Sequence, residues 1–195
     1  MNPKTIILFG PAGSGKGTQA EQITKHFSNI TPHHKVVYVE TGARLREFIK
    51  GEGYTKQLVH DVLTKGGLLP EFMPIWIWTS AFINELNVND HIVLDGLCRR
   101  PPEAPVLDGA MQFYGRKNPF IIVLNVSDEE CRRRSLARNR SDDAVEKINN
   151  RLSWYKKDVV PSVEYFRNNS YYKVIDINGE QTIEKVHADI VAAIS

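Results

Sequence analysis

Residues Gly10–Thr18 read G-P-A-G-S-G-K-G-T, a glycine-dense loop that ends in a lysine. Before it lies a short apolar run, Thr5–Phe9; after it, Ala20, Ile23 and Phe27 recur at helical spacing. The pattern predicts a buried strand, a tight loop and a helix in succession. Backbone N–H groups and the positive end of a helix dipole converge at such a junction, where they stabilise an anion. Glycines are needed because a side chain would block a close-lying phosphate, and Lys16 supplies a mobile point charge. A polyphosphate is therefore the expected ligand of the loop. The generic pattern places Ser or Thr directly after the lysine, whereas here Gly17 intervenes and Thr18 carries the hydroxyl. A glycine-rich surface turn is the alternative, but strand, loop and helix all agree on the phosphate reading.

The chain has 195 residues, which fits one domain of ordinary size, and its 42% hydrophobic content suffices for a core. A net charge of +2 is too small to argue for wrapping nucleic acid, so none is expected as a partner. Two cysteines, Cys98 and Cys131, offer neither a disulfide framework nor a zinc-knuckle spacing, which suits a reducing compartment. Met1–Lys4 lacks the apolar stretch of a signal peptide, and no run approaches the roughly 20 residues of a membrane span. A cytoplasmic protein without membrane partners is expected.

Strands are predicted at Thr5–Phe9, Lys35–Val39, His91–Leu94, Phe120–Val126 and Tyr172–Ile177, with helical patterns between them. That alternation predicts an α/β fold, with a parallel sheet covered on both faces. Gly66-Gly67 reads as a helix stop and Pro70 as lying near a start; Ser127 with Glu130 reads as a capping box. Ile183, Val186, Ile190 and Ile194 share one face of the last helix and are expected in the core. Phe72–Phe82, with Trp76 and Trp78, is apolar around most of its circumference and is expected inside the fold rather than at a subunit interface. His33 and His34 are read as solvated loop residues.

Ile92–Leu94 ends in Asp95-Gly96, which sets a carboxylate where strand ends meet a ligand in open α/β sheets. Asp95 is the natural partner for magnesium, which keeps several waters beside phosphate and so needs only one carboxylate acting through them. Arg46, Arg99, Arg134, Arg138, Arg140 and Arg151 each fall at a predicted element end or on one helix face. Arg134 and Arg138, four apart, share a face. Arg132 and Arg133 are read as ordinary solvated helix surface.

With these residues in place the chain resembles the adenylate kinase family of nucleoside monophosphate kinases, in its short-lid form, over nearly its whole length. Gly10–Thr18 looks like the family's ATP-phosphate loop, including its K-G-T ending. Thr41–Arg46, T-G-A-R-L-R, resembles T-G-D-x-L-R, and Gly66–Pro70, G-G-L-L-P, resembles the segment lining the acceptor base. Leu94–Arg99, L-D-G-L-C-R, looks like L-D-G-F-P-R. Arg140–Asp143 and Arg151-Leu152 resemble R-x-D-D and the later R-L. The resemblance implies a single P-loop NTPase-fold kinase domain over residues 1–195, with a five-stranded parallel sheet flanked by helices. It also implies a helical acceptor-binding insert at 41–70 and a minimal lid at 138–142. ATP would meet Gly13, Ser14, Gly15, Lys16, Gly17, Thr18, Arg134 and Arg138. The acceptor would meet Thr41, Arg46, Gly67, Leu69, Gly96, Arg99, Glu103, Arg140 and Arg151. Catalysis would fall to Lys16, Arg99, Arg138, Arg140 and Arg151, with Mg2+ held by Asp95 through water and by Thr18. ATP plus AMP going to two ADP is the expected reaction, with GMP, UMP or CMP as alternative acceptors. A monomer is favoured over a homo-oligomer.

Chemistry accounts for the residue set. A monophosphate, with a second pKa of about 6, is already an anion near neutral pH, so its attack on ATP needs no general base. Repulsion between phosphates becomes the main obstacle, and arginine binds phosphate bidentately while staying charged.

The chain departs from the family's pattern in four respects. Glu103 stands where the family usually carries the glutamine that recognises the AMP base. Gln donates and accepts, whereas a carboxylate only accepts, so one adenine contact is satisfied and the other repelled, while guanine presents two donors. An outward-pointing Glu103, with backbone around Gly96 choosing adenine, is the other reading. Ala43 replaces an aspartate. Leu97-Cys98 replaces Phe-Pro, and Arg99 and Arg100 are positioned to lower the Cys98 thiol pKa, although packing is its expected role. Arg138-Asn139-Arg140 leaves almost no lid, so more ATP hydrolysis without acceptor is expected than in lidded relatives; negligible ADP release in that assay would refute it.

Overall fold

All five apolar runs become strands because each is short, rich in β-branched residues and flanked by turn residues. The computed structural model describes residues 2–138 and 144–195. The strands are β1 (Thr5–Phe9), β2 (Val36–Glu40), β3 (His91–Asp95), β4 (Phe120–Asn125) and β5 (Lys173–Asn178). They form one parallel sheet in the order β2-β3-β1-β4-β5. This is the expected α/β P-loop NTPase architecture, with strand ends shifted by a residue or so.

Alternation along the strands divides the interior into two layers. Ile7, Phe9, Ile92, Leu94, Ile121 and Val123 face one core, which is closed by Trp78 and Phe82 of α4 (Phe72–Glu85), Leu107 of α5 (Glu103–Phe113) and Phe166 of α8 (Val160–Arg167). Ile6, Leu8, Val93, Ile122 and Leu124 face the other, closed by Ile23 and Phe27 of α1 (Lys16–Ile30) and Ile190 of α9 (Ile183–Ile194). Burial on both faces is what a parallel sheet requires. Between β2 and α4, α2 (Thr41–Phe48) and α3 (Tyr54–Thr64) have a small core of their own, Leu45 and Val59 packing with Leu69, Met73 and Ile77.

Several local expectations are corrected. On α4, Trp78 and Phe82 are buried, but Phe72 is 63% and Trp76 46% exposed, so this helix is internal on one side only. Ile183 is 50% exposed because it begins the first turn of α9, ahead of the buried stripe of Val186, Ile190 and Ile194. The capping box at α6 (Asp128–Arg138) is half made: Ser127 Oγ accepts the Glu130 amide at 3.3 Å, but the Ser127 amide goes to Glu180 at 2.7 Å. Glu130 is drawn instead to Arg133 and Arg134. His33 is exposed, whereas His34 leans on the buried His91, their ring centres 5.5 Å apart.

From α7 (Val145–Trp154) the chain runs into α8 through a π-helical turn, Tyr155–Val159. Pro161, in the first turn of α8, has no amide to donate and crowds the carbonyl before it, and the wider turn absorbs that mismatch.

Candidate active site

The order of the strands places β3 and β4 on opposite sides of β1, so the connections diverge at the carboxyl end of β1 and leave a crevice there. A cleft of about 630 Å³ occupies it. The Gly10–Gly15 loop forms its floor and needs its glycines for identifiable reasons. A Cβ on Gly13 would stand 2.4 Å from the Cys131 carbonyl oxygen, and Gly15 caps α1 in the left-handed region at φ 93. No side chain caps α1 and no acid lies in its first turn, so its leading N–H groups remain available to an anion.

Lys16 donates to the carbonyls of Gly10 at 2.7 Å and Pro11 at 3.0 Å, which holds the ammonium over the loop. Burial pushes its pKa down, opposed by Asp95 and reinforced by Arg99 and Arg138. Asp95 closes β3, paired in register with Leu8 and Glu40, and its Oδ2 lies 3.8 Å from where a Cβ on Gly17 would stand. Gly13, Gly15, Gly17 and Thr18 line the cleft with them, while Ser14 is buried beneath the loop.

The arginines reach the cleft from four separate elements. Arg99 follows β3 and is clamped by its own turn, Nε donating to the Gly96 carbonyl at 2.8 Å. Gly96 has φ 77, and a Cβ there would come within 3.0 Å of an Arg99 guanidinium nitrogen. Arg46 comes from α2, bonded to Glu40 at 2.9 Å; Arg138 ends α6 and Arg151 lies on α7. All four line the cleft. Burial, then Arg151 and Arg46, depress the Arg99 pKa, against Asp95 and Glu103, as expected where cations crowd one space. Arg134 is not brought there: Glu130, one helical turn back, holds its guanidinium at 2.6 Å. Arg140 and the proposed lid beyond Arg138 lie outside the described residues.

A narrow recess opens beside the cleft, sharing Leu45, Leu63, Gly67 and Arg99 with it and adding Thr41, Leu69 and Glu103. Glu103 is therefore turned inward and buried, not toward solvent. Sequence reasoning missed Trp154, which also lines the cleft. The guanidinium of Arg99 lies 5.7 Å over its ring. Its signal was available: Trp154 is three residues beyond Arg151 and so shares its helix face.

Cys98 is buried at φ 47, and burial pushes its thiol pKa well up, Glu103 adding to the effect; the neighbouring arginines do not activate it. Among the described residues no cluster of three or more His, Cys, Asp or Glu suits a metal ion, and no helix is long and apolar enough to cross a membrane.

The family model for adenylate kinase matches residues 8–171. The chain is 32% identical over 193 residues to the adenylate kinase of Azobacteroides pseudotrichonymphae, covering 97% of this chain and 96% of the relative. It is 28% identical to adenylate kinase 1 of a Nostoc species, covering 97% of each, and 29% identical to the adenylate kinase of Oenococcus oeni, covering 92% and 93%. Phosphate loop, strand order, arginine-lined cleft and these matches agree: the chain belongs to the adenylate kinase family.

Proposed function

We propose that the protein transfers the γ-phosphoryl group of ATP to AMP, reversibly, giving two ADP. The observation that carries this reading is the convergence of Lys16, Asp95, Arg46, Arg99, Arg138 and Arg151 on one cleft, with no general base needed beside them. Binding a single triphosphate would not call for cations around two phosphate chains. The α1 N-terminus and Lys16 hold the donor phosphates, while Arg46, Arg99 and Arg151 hold the acceptor phosphate, reached from the α2–α3 insert at 41–70. Lys16 and Arg138 offset the charge that the transferring group spreads over its oxygens, so catalysis is positioning plus electrostatic stabilisation.

The donor set fits magnesium: one carboxylate, Asp95, and the Thr18 hydroxyl share the cleft with Lys16. Asp95 would hold the ion through water and Thr18 directly, and the ion would supply charge neutralisation at the phosphate oxygens. Two buried free cysteines suit the reducing cytoplasm, and a monomer is the favoured state.

A coupled assay of ATP with AMP, GMP, UMP and CMP tests the reading. Rapid ADP formation with AMP is expected. ATP binding with no transfer to any monophosphate would instead mark a nucleotide-sensing protein.

A further inference from the structure

Glu103 begins α5 with its side chain 0% exposed. Its Oε1 accepts the Arg100 amide at 3.0 Å, whereas Oε2 has no partner among the described residues. The carboxyl lines the recess with the apolar side chains of Leu45, Leu63 and Leu69, and with Thr41, whose equally buried Oγ1 is also unpaired. Polar atoms buried in this way are costly unless a ligand completes them. Arg99 borders both recess and cleft, so a molecule with its phosphate on the arginines presents its base edge at the recess mouth.

The surroundings of the carboxyl oppose its charge. Burial raises its pKa to about 7, outweighing the Arg100 amide, the Arg99 guanidinium and the Cys98 amide, which favour the carboxylate; Glu71 at the start of α4 adds to the rise. Cys98, in the turn before α5, is held as a neutral thiol. Thr41 from α2 and the Gly67–Leu69 segment bring no charge. The group therefore changes protonation state near neutral pH.

We propose, resting on the reading that AMP is the acceptor, that Glu103 recognises adenine as its neutral acid, so that AMP binds with uptake of a proton on the carboxyl. The acid O–H donates to adenine N1 while the other oxygen accepts from the exocyclic amino group. A carboxylate offers acceptors only: it sets lone pairs against N1 and matches instead the ring N–H and amino donors of guanine. The proton comes from solvent and returns there when AMP leaves. Acceptor choice is then tied to pH, with AMP favoured below neutrality and GMP gaining above it.

The test is calorimetric titration of AMP into the full chain at pH 8, in two buffers of different ionisation enthalpy. The AMP phosphate, with a second pKa of about 6, is already a dianion there and contributes almost no proton. The expected result is uptake approaching one proton in the wild type and almost none in Glu103→Gln. AMP affinity should fall about tenfold per pH unit above neutrality in the wild type only. AMP that binds and is phosphorylated without proton uptake, or with equal uptake in Glu103→Gln, overturns the inference and leaves the proposed reaction standing. AMP that fails to bind even at pH 6 overturns both. Should Glu103→Gln not fold, the wild-type ratio of AMP to GMP affinity decides alone, because both share the same phosphate: a ratio that falls with pH supports the inference, and a constant ratio refutes it.

Discussion

The indole Nε1 of Trp154 donates to the backbone carbonyl of Gly66, 3.3 Å away, and so joins α7 to the segment that follows α3. Gly66 packs closely there, since a Cβ on it would lie 3.4 Å from Lys147 of α7. The same indole lies under Arg99, at 5.7 Å from ring centre to guanidinium carbon. One side chain thereby links the α2–α3 insert, proposed above to hold the acceptor, to an arginine assigned there to the acceptor phosphate.

Trp154→Phe removes the hydrogen bond but keeps a ring beneath Arg99. A bond of this kind contributes about 0.5–1.5 kcal/mol, so the acceptor KM should rise roughly 2- to 12-fold with little change in the KM for ATP. Trp154→Ala also removes the cation–π contact and should be weaker still. Steady-state kinetics with each substrate varied separately checks this; equal effects on both KM values would contradict the assignment.

The parts of this molecule legible in the sequence are those fixed by local chemistry. The phosphate loop is readable because glycine, lysine and a following helix must be contiguous, and the central strands β1, β3 and β4 because burial on both faces demands apolar runs; the edge strands β2 and β5 are only partly buried and are marked by their β-branched residues instead. Contacts settled by competition among distant groups were not readable. Ser127 gives its amide to Glu180 from another element. Arg134, with the charge and helix face of Arg138, is captured by Glu130 only four residues back, an i, i+4 pair that the sequence did carry. The orientation of Glu103 depended on how α5 meets α2 and the Gly67–Leu69 segment, which spacing does not encode.

His91 predicts an acid limit to stability. Its Nδ1 accepts the Lys4 amide at 3.0 Å, which leaves the proton on Nε2, 2.9 Å from Thr31 Oγ1, and its ring stacks on Phe27 at 4.4 Å. Protonating Nδ1 would set two N–H groups against each other. Burial, with His34 and Arg116 nearby and Asp90 opposing, pushes its pKa down to about 4. The unfolded chain, with a histidine pKa of about 6.5, therefore binds the proton more readily. The stabilisation is fully present above about pH 6.5 and is lost as pH falls toward 4, amounting to about 3 kcal/mol. Urea unfolding across this range should show the loss in the wild type and a shallower slope in His91→Gln; identical slopes would remove His91 as the cause.

Cys98 predicts that restoring the proline of the L-D-G-F-P-R pattern harms this chain. Its φ of 47 lies in the left-handed region, whereas proline is locked near −65°, so the turn would have to rebuild around it. The residue is also enclosed in the main core near Leu97, Ala104 and Leu107, and Arg99 follows it directly. Cys98→Pro should lower stability by about 3 kcal/mol or more and raise the acceptor KM through displacement of Arg99. Cys98→Gly separates backbone from packing: its cost is the lost thiol contacts plus the extra freedom of the unfolded chain, offset by relief of the left-handed strain, since glycine adopts this φ freely. Thermal unfolding should then rank wild type above Cys98→Gly and Cys98→Gly well above Cys98→Pro. A proline variant as stable and active as the wild type would mean that the left-handed turn at Cys98 does not fix the position of Arg99.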